Sequence, residues 1–296
     1  MLWHEVQGAL VISTAILVLF VVAEIIHRTF DIPTERTRKL THVGAGFVVI
    51  AIPFLLESHW TVLVLAAAFF GLLAIGKVTG LLGSIHEIER RSGGAYYYPF
   101  AVYLIYVLAD GDAWMYIVPI LVMALSDTAA ALVGQRYGHS AYRVLDGHRS
   151  LQGSATFLGL TFVVLLVAFG LSTKAGWPAL LLVTLVVAVV ATAVEAVSVR
   201  GADNLFIPLA VWFMLDRTLG QPLDAMGAWM LGMAVVLSLC LLAASFARLS
   251  VSGLVLCFLV GSLAWGLGGV SWFLPLAALL TITALGRRLR HSGEHE

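Results

Sequence analysis

Charge is what this sequence is short of. Asp, Glu, Lys and Arg make up 11% of its 296 residues, against about 25% in a soluble domain. So few charges cannot cover a water-facing surface, which excludes an ordinary soluble globule and sets apolar surface against lipid. The formal net charge is zero, so no basic field attracts nucleic acid. Cysteine is scarce as well. Cys240 and Cys257 both fall inside apolar runs and read as packing residues, not as a disulfide or a metal pair. Zinc-ligand spacing, a serine nucleophile elbow and a Walker A loop are all missing. A nucleotide site in this chain is therefore of another kind. No long linker, low-complexity stretch or convincing internal repeat is seen, which leaves an inverted-repeat transporter without support.

What the sequence does have is hydrophobic length. Hydrophobic residues reach 60% and the mean hydropathy is +0.98. A helix needs about 20 apolar residues to cross a hydrocarbon core of about 30 Å. Candidate spans are 6–27, 41–57, 60–77, 97–109, 113–134, 153–172, 178–199, 204–216, 227–246, 252–267 and 271–286. Several are short, so the expectation is an all-α polytopic transmembrane bundle of about 9–11 spans. The first run, Val6 to Ile26, is too long for a signal-peptide core and has no positive residue before it, so it reads as a retained helix.

Lys and Arg set the expected orientation. With the N-terminus outside, 15 of the 17 basic residues fall on one face and only Lys174 and Arg217 on the other. The positive-inside rule makes the crowded face cytoplasmic, with the C-terminus on that side of the cell membrane. The longer connections, roughly 28–40, 78–96, 135–152 and 200–203, lie there too. The opposite face holds turn residues such as Asp110-Gly111-Asp112. Connections carry chemistry on a rigid scaffold, so a site is expected at the cytoplasmic face.

The richest stretch runs from Ser126-Asp127 through Gly138 and on to Ser154. Asp127 sits inside an apolar helix, where a carboxylate costs about 3 kcal/mol, and intramembrane acids are functional candidates by default. It lies about 21 Å along a span starting at Ala113, close to the inside face. The connection after it bears Arg136, Arg143, His148 and Arg149, and the arginines can make forked contacts with phosphate. Gly134, Gly138, Gly147 and Gly153 let backbone N–H groups approach an anion, and Ser150 or Ser154 can cap the next helix. The competing reading is a snorkelling basic loop with ordinary turns.

A second stretch holds Glu195, at a depth similar to Asp127, followed by Asp203 and Asn204 at the next helix start. Together with Asp127 these oxygens suit a hard cation. Alternatively, Glu195 pairs with Arg200 and Asp203 is an N-cap. A third stretch holds Arg36, Arg38, Lys39 and His42 before the second span. A fourth, His86 to Pro99, includes Glu89 and Tyr97 and reads as an amphipathic lid with interfacial tyrosines.

Taken in order, Arg38-Lys39-Leu40-Thr41-His42, Gly93-Gly94-Ala95-Tyr96-Tyr97, Ser126-Asp127 through Gly138, Arg149 through Ser154, and Glu195 through Pro208 resemble the polyprenol kinase family. That family includes dolichol and phytol kinases and is distantly related to phosphatidate cytidylyltransferases. The resemblance spans about residues 20–220, within an expected kinase-like membrane domain of 1–225. It implies transfer of the γ-phosphate of CTP, with Mg²⁺, to a membrane isoprenoid alcohol such as phytol, farnesol, geranylgeraniol or a polyprenol.

By the same resemblance, Asp127, Glu195, Asp203 and Asn204 form the catalytic group, with Asp127 and Asp203 on the metal. Gly134, Arg136, Gly138, Arg143, His148, Arg149, Ser150, Gln152, Gly153 and Ser154 bind the nucleotide. Arg38, Lys39, His42, Glu89 and Tyr97 position phosphate or alcohol. The family pattern usually reads Lys-Ser/Thr-x-Glu-Gly, whereas this chain has Arg149-Ser150-Leu151-Gln152-Gly153. Arg keeps the charge with a different geometry, and Gln removes a carboxylate. Residues 226–296 are expected to add transmembrane segments, of which Leu249 to Gly253 and Gly261 to Trp272 resemble the opening of a family related to phytyl-phosphate kinases. Two other functions compete: a cytidylyltransferase making a CDP-lipid, and a lipid transporter without chemistry.

Overall fold

In hydrocarbon every backbone N–H and C=O must find a partner within the protein, and long apolar runs achieve this as helices. The computed structural model describes residues 2–30, 33–79, 93–144, 147–172, 176–219, 221–247 and 250–293. Each of the eleven apolar segments is helical. The chain runs through α1 (Leu2–Phe30), α2 (Thr34–Val49), the single turn α3 (Ile52–Leu55), α4 (His59–Thr79) and α5 (Gly94–Ala109). Next comes a rod made of α6 (Ala113–Leu121), a π-helical turn (Val122–Ser126) and α7 (Asp127–Tyr137). After a β-hairpin follow α8 (Leu151–Ser172), α9 (Trp177–Val197), α10 (Asp203–Thr218), α11 (Leu223–Ala247) and α12 (Val251–Gly293).

Among the described residues, 8 of these rods are long and apolar enough to cross a membrane, so the chain is a multi-pass, all-α membrane bundle. The difference from eleven lies in three places. Helices α5 and α10 are 16 residues each, and the last two expected spans run together in α12. The helical path of α12 breaks at Gly269, at φ 56° and ψ −142°, a conformation that glycine adopts without a Cβ clash. The rings of Trp265 and Phe273 meet edge-on at 6.1 Å. Cys257 and Ala277 line one cavity with Cys240 of α11. A straight helix would hold Cys257 and Ala277 about 30 Å apart, so α12 folds back on itself as a hairpin, as two spans would.

Helix α9 lies at the centre of the bundle, with Val187, Ala188 and Ala191 fully enclosed. Ile207, Val211 and Leu215 of α10 and Val118 and Ile120 of α6 complete the core. Outer helices expose rows of large aliphatics, such as Leu10, Val18 and Val21 on α1. Such rows suit lipid contact. The Asp110-Gly111-Asp112 connection is a turn as expected: Asp110 and Gly111 take positive φ, and Asp112 Oδ1 accepts from the N–H of Trp114 at 2.8 Å.

The 135–152 connection is more ordered than a plain loop. Strands β1 (Ala141–Val144) and β2 (Gly147–Ser150) pair antiparallel, with Tyr142 opposite Arg149 and Arg143 opposite His148. Side chains alternate across a strand, so the pleat divides this segment's polar residues into two sets.

Candidate functional site

The charged side chains are gathered where α2, α7, α9 and α10 meet beside the hairpin. Lys39 of α2 reaches Asp127 at the start of α7, Nζ to Oδ2, at 2.5 Å, and both are buried. The carboxylate sits directly after the π-turn. Such turns expose carbonyls that lack a normal helical partner and recur at functional sites. One of these carbonyls, Met123 O, lies 3.3 Å from His42 Nε2. Gly46 lets α2 close on the same turn, because a Cβ there would come within 2.5 Å of the Ala124 side chain.

Arg149 of β2 ties the second half together. Its guanidinium meets Glu195 Oε1 at 3.0 Å and Asp203 Oδ2 at 3.7 Å. It also donates to the backbone carbonyls of Glu195 and Ser198, each at 3.3 Å, at the C-terminal end of α9. The Glu195 carbonyl also accepts from the Ser198 N–H at 3.3 Å, and a cation beside carbonyls at a helix C-terminus is favourable. Burial alone would lower the Arg149 pKa, but the facing Glu195, Asp203 and Asp127 carboxylates hold it above its ordinary value. The same fork accounts for arginine in place of the family's lysine: a compact ammonium cannot span four acceptors.

The second oxygen of Glu195, Oε2, is buried without a hydrogen-bond partner. Glu195 thus pairs with Arg149 across the hairpin and not with Arg200. Arg200 itself lies at φ 52°, followed by Gly201 at φ 85°, and its carbonyl accepts from the N–H of Gly93 at 2.8 Å. Asp203 occupies the first turn of α10, where the cap position is Ala202. Asn204 is buried and donates from Nδ2 to Gly94 O at 2.9 Å, joining the starts of α5 and α10.

The remaining expected residues divide by position. Arg38 is forked onto Glu35, with Nη2 to Oε1 at 2.7 Å. Within the hairpin, Tyr142 and Arg149 are partly buried, whereas Arg143 and His148 are exposed. Arg136 is also exposed and lies over the Tyr137 ring at 5.3 Å. Ser150 Oγ accepts from the N–H of Gly153 at 3.1 Å and caps α8. Ser154 Oγ bonds the Tyr142 hydroxyl at 2.7 Å. Burial raises the Tyr142 phenol, and the Glu195 charge adds to this against the Ser154 bond, so the phenol remains a donor at neutral pH.

Gln152 lies at the base of the hairpin, accepting from Ser140 N–H at 3.3 Å and meeting His139 Nε2 at 2.9 Å. Gly134 and Gly153 face each other: a Cβ at Gly134 would lie 3.0 Å from Ser150 Oγ and 3.6 Å from Gly153 Cα. A Cβ at Gly138 would come 2.9 Å from the same hydroxyl. These glycines let α7 and α8 approach around Ser150, which differs from the open anion cradle expected of them.

Tyr97 points outward, and the next residue, Tyr98, meets His42 edge-on at 5.1 Å. One helical step of about 100° separates them, and the phase of the apolar positions Ala101, Val102 and Ile105 was the signal for Tyr98. Glu89 lies outside the described residues. Also missed were the π-turn, which a sequence does not mark, and the hairpin, which the Asp146-Gly147 pair between two polar-apolar runs does mark.

Chemically, the arrangement offers cations for phosphate oxygens and carboxylates for a hard cation in one buried cluster. Asp127, Glu195 and Asp203 lie close enough for their charges to interact. Among the described residues no three Asp, Glu, His or Cys side chains form a ready metal cage, because Lys39 and Arg149 sit between the acids. Magnesium, however, is bound through one or two carboxylates plus substrate phosphates. The unpartnered Glu195 Oε2 and the paired aspartates fit that requirement.

The phytol kinase of Synechocystis sp. is 33% identical to this chain over 190 residues, which is 63% of this chain and 81% of the relative. The chain belongs to the polyprenol/phytol kinase-like family. No family profile matches the chain, and no solved structure matches it.

Proposed function

We propose that the protein is a CTP-dependent kinase that transfers the γ-phosphate to the hydroxyl of a membrane isoprenoid alcohol. The observation that carries this reading is the convergence of Lys39, Asp127, Arg149, Glu195 and Asp203, from five separate elements, into one ionic cluster in which Lys39, Asp127 and Glu195 are buried. Kinship with a phytol kinase supports the acceptor class. The excess of basic residues on this end of the bundle supports a cytoplasmic site at a cell membrane.

Phosphoryl transfer needs positioning and charge neutralisation more than covalent chemistry. Lys39 and Arg149 exchange their carboxylate contacts for the oxygens of the nucleotide triphosphate. Arg136, Arg143 and His148, on the open side of the hairpin, meet the nucleotide as it arrives. Asp127 and Asp203 would hold Mg²⁺, which supplies charge neutralisation at the phosphates. The alcohol oxygen attacks the γ-phosphorus, the bond to the β-phosphate oxygen breaks, and CDP leaves. Glu195 Oε2, buried and unpartnered, accepts the hydroxyl proton.

The test is direct. Purified protein in detergent receives γ-labelled CTP, Mg²⁺ and a panel of isoprenoid alcohols. Label is expected in the lipid. Pyrophosphate release with phosphatidate would instead support cytidylyl transfer, and no turnover with any lipid would overturn both.

A further inference from the structure

Beside the ionic cluster lies a cavity whose shape none of the charge chemistry requires. It runs between α1, α2, α4 and α5. Its polar residues gather at one end: Arg38, Thr41 and His42 of α2, and Asn204 of α10. From there the lining turns apolar through Ala45 and Phe69 to Ile12, Val49, Ile52 and Val62. His42 to Val49 covers about 10 Å along α2, and Val62 to Leu73 about 16 Å along α4, at 1.5 Å per residue.

The far end abuts a hydrogen-bonded turn. Leu56 there is only 1% exposed. The Tyr106 hydroxyl donates to its carbonyl at 2.8 Å, and Tyr116 donates to Val49 O at 3.0 Å. Glu5 of α1 holds the same turn, accepting from the N–H groups of Glu57 and Ser58.

Between the two ends, one turn in from His42, the wall carries a polar group without a partner. The Tyr98 hydroxyl is buried and makes no hydrogen bond. It lies within reach of α2, since a Cβ at Gly46 would stand 3.7 Å from it. A buried hydroxyl left without a hydrogen bond is unfavourable, so a ligand hydroxyl at this point is favoured. An apolar channel with His42 at the end towards Asp127 and an unpartnered hydroxyl on its wall suits one molecule shape: a single flexible hydrocarbon chain ending in one alcohol. A two-chain phospholipid with a bulky head does not share it.

We propose that this cavity holds the acceptor alcohol as an extended chain, with its head at the His42 end and in reach of Tyr98, and that the packed turn at its far end limits the number of isoprene units. This rests on the kinase reading for the reaction but not for the binding. Tyr98 acts as a positioning residue and the residues near Ile52 and Val62 as a length stop.

Two measurements test it. In the first, kcat/KM is compared for prenol, geraniol, farnesol and geranylgeraniol. Val62→Trp, at the floor, is expected to lower the geranylgeraniol-to-geraniol ratio at least tenfold. Ala45→Phe, towards the His42 end, is expected to shift the cut-off to shorter alcohols. Tyr98→Phe is expected to raise KM for every alcohol with KM for CTP unchanged. Equal losses for all alcohols in both channel variants would overturn the length stop.

The second measurement needs neither turnover nor variants. A geranylgeraniol analogue with a tail diazirine is photolysed with the full wild-type chain, and the labelled peptides are mapped. Label in α1, α2, α4 and α5, displaced by geranylgeraniol and not by phosphatidylcholine, is expected. Label elsewhere, or displacement by phosphatidylcholine alone, overturns the channel. Wild-type protein that binds the probe in the channel and phosphorylates no alcohol would leave the channel standing and sink the kinase reading.

Discussion

The region from α2 to α10 and the C-terminal pair, α11 and α12, are built of the same apolar material and differ in what they bury. The first encloses Lys39, Asp127, Glu195 and Asn204. In the second, the buried polar residue among those described is Ser262, whose hydroxyl bonds the Phe258 carbonyl of its own helix at 2.6 Å. The C-terminal pair packs by size: Gly266 admits Phe213 of α10, and Gly232 admits the Trp265 indole. Small residues that let helices approach are the ordinary means of association in lipid. Buried ions are not an ordinary means of stability, since well-packed apolar side chains serve as well or better. The ionic region is therefore shaped by its chemistry and the C-terminal pair by packing.

Substitutions that exchange the behaviour of the two regions would break this contrast. Asp127→Asn keeps the shape beside Lys39 and removes the charge. Phosphate transfer is expected to fall about a thousandfold, with gel filtration unchanged. Arg149→Lys keeps the charge and loses the fork, so transfer should fall about 10- to 100-fold. Gly138→Ala would set a Cβ against the Gly134 carbonyl oxygen and 2.8 Å from the Ser150 Cβ, so the approach to the hairpin must shift. It should cost about 1–3 kcal/mol in a thermal melt and lower transfer through the displaced hairpin.

Gln152→Glu restores the family's usual residue at the hairpin base, away from the acids. Transfer is expected to change by less than about threefold, within the range of surface substitutions. Cys240→Ala, deep in the C-terminal pair, should lower stability by about 1 kcal/mol and leave transfer unaltered. A large loss of transfer in this last variant would dissolve the contrast.

Most of the bundle could be read from hydropathy, because lipid enforces helices wherever twenty apolar residues occur. The short spans in α5 and α10 and the reversal at Gly269 were the margins, since length alone does not report where a helix turns. Asp127, Glu195, Asp203, Lys39 and Arg149 were legible because buried charge in an apolar run has few innocent explanations. Their pairing was not: Glu195 meets an arginine 46 positions away, not the nearby Arg200. The π-turn leaves no local mark, and the imidazole that meets its Met123 carbonyl, His42, is 81 positions distant. The glycines of the 134–153 segment were read as room for a ligand, whereas two helices use that room.

The central claim is that cations and carboxylates from separate elements act as one unit. A double-substitution cycle of Arg149→Lys and Asp203→Asn, read as the rate of γ-phosphate transfer from CTP to alcohol, tests it. Groups acting together give strongly non-additive losses, so the double variant should be at least about tenfold more active than the product of the single losses. Losses that simply multiply would mean that Arg149 and Asp203 work independently, and would contradict a single reaction centre.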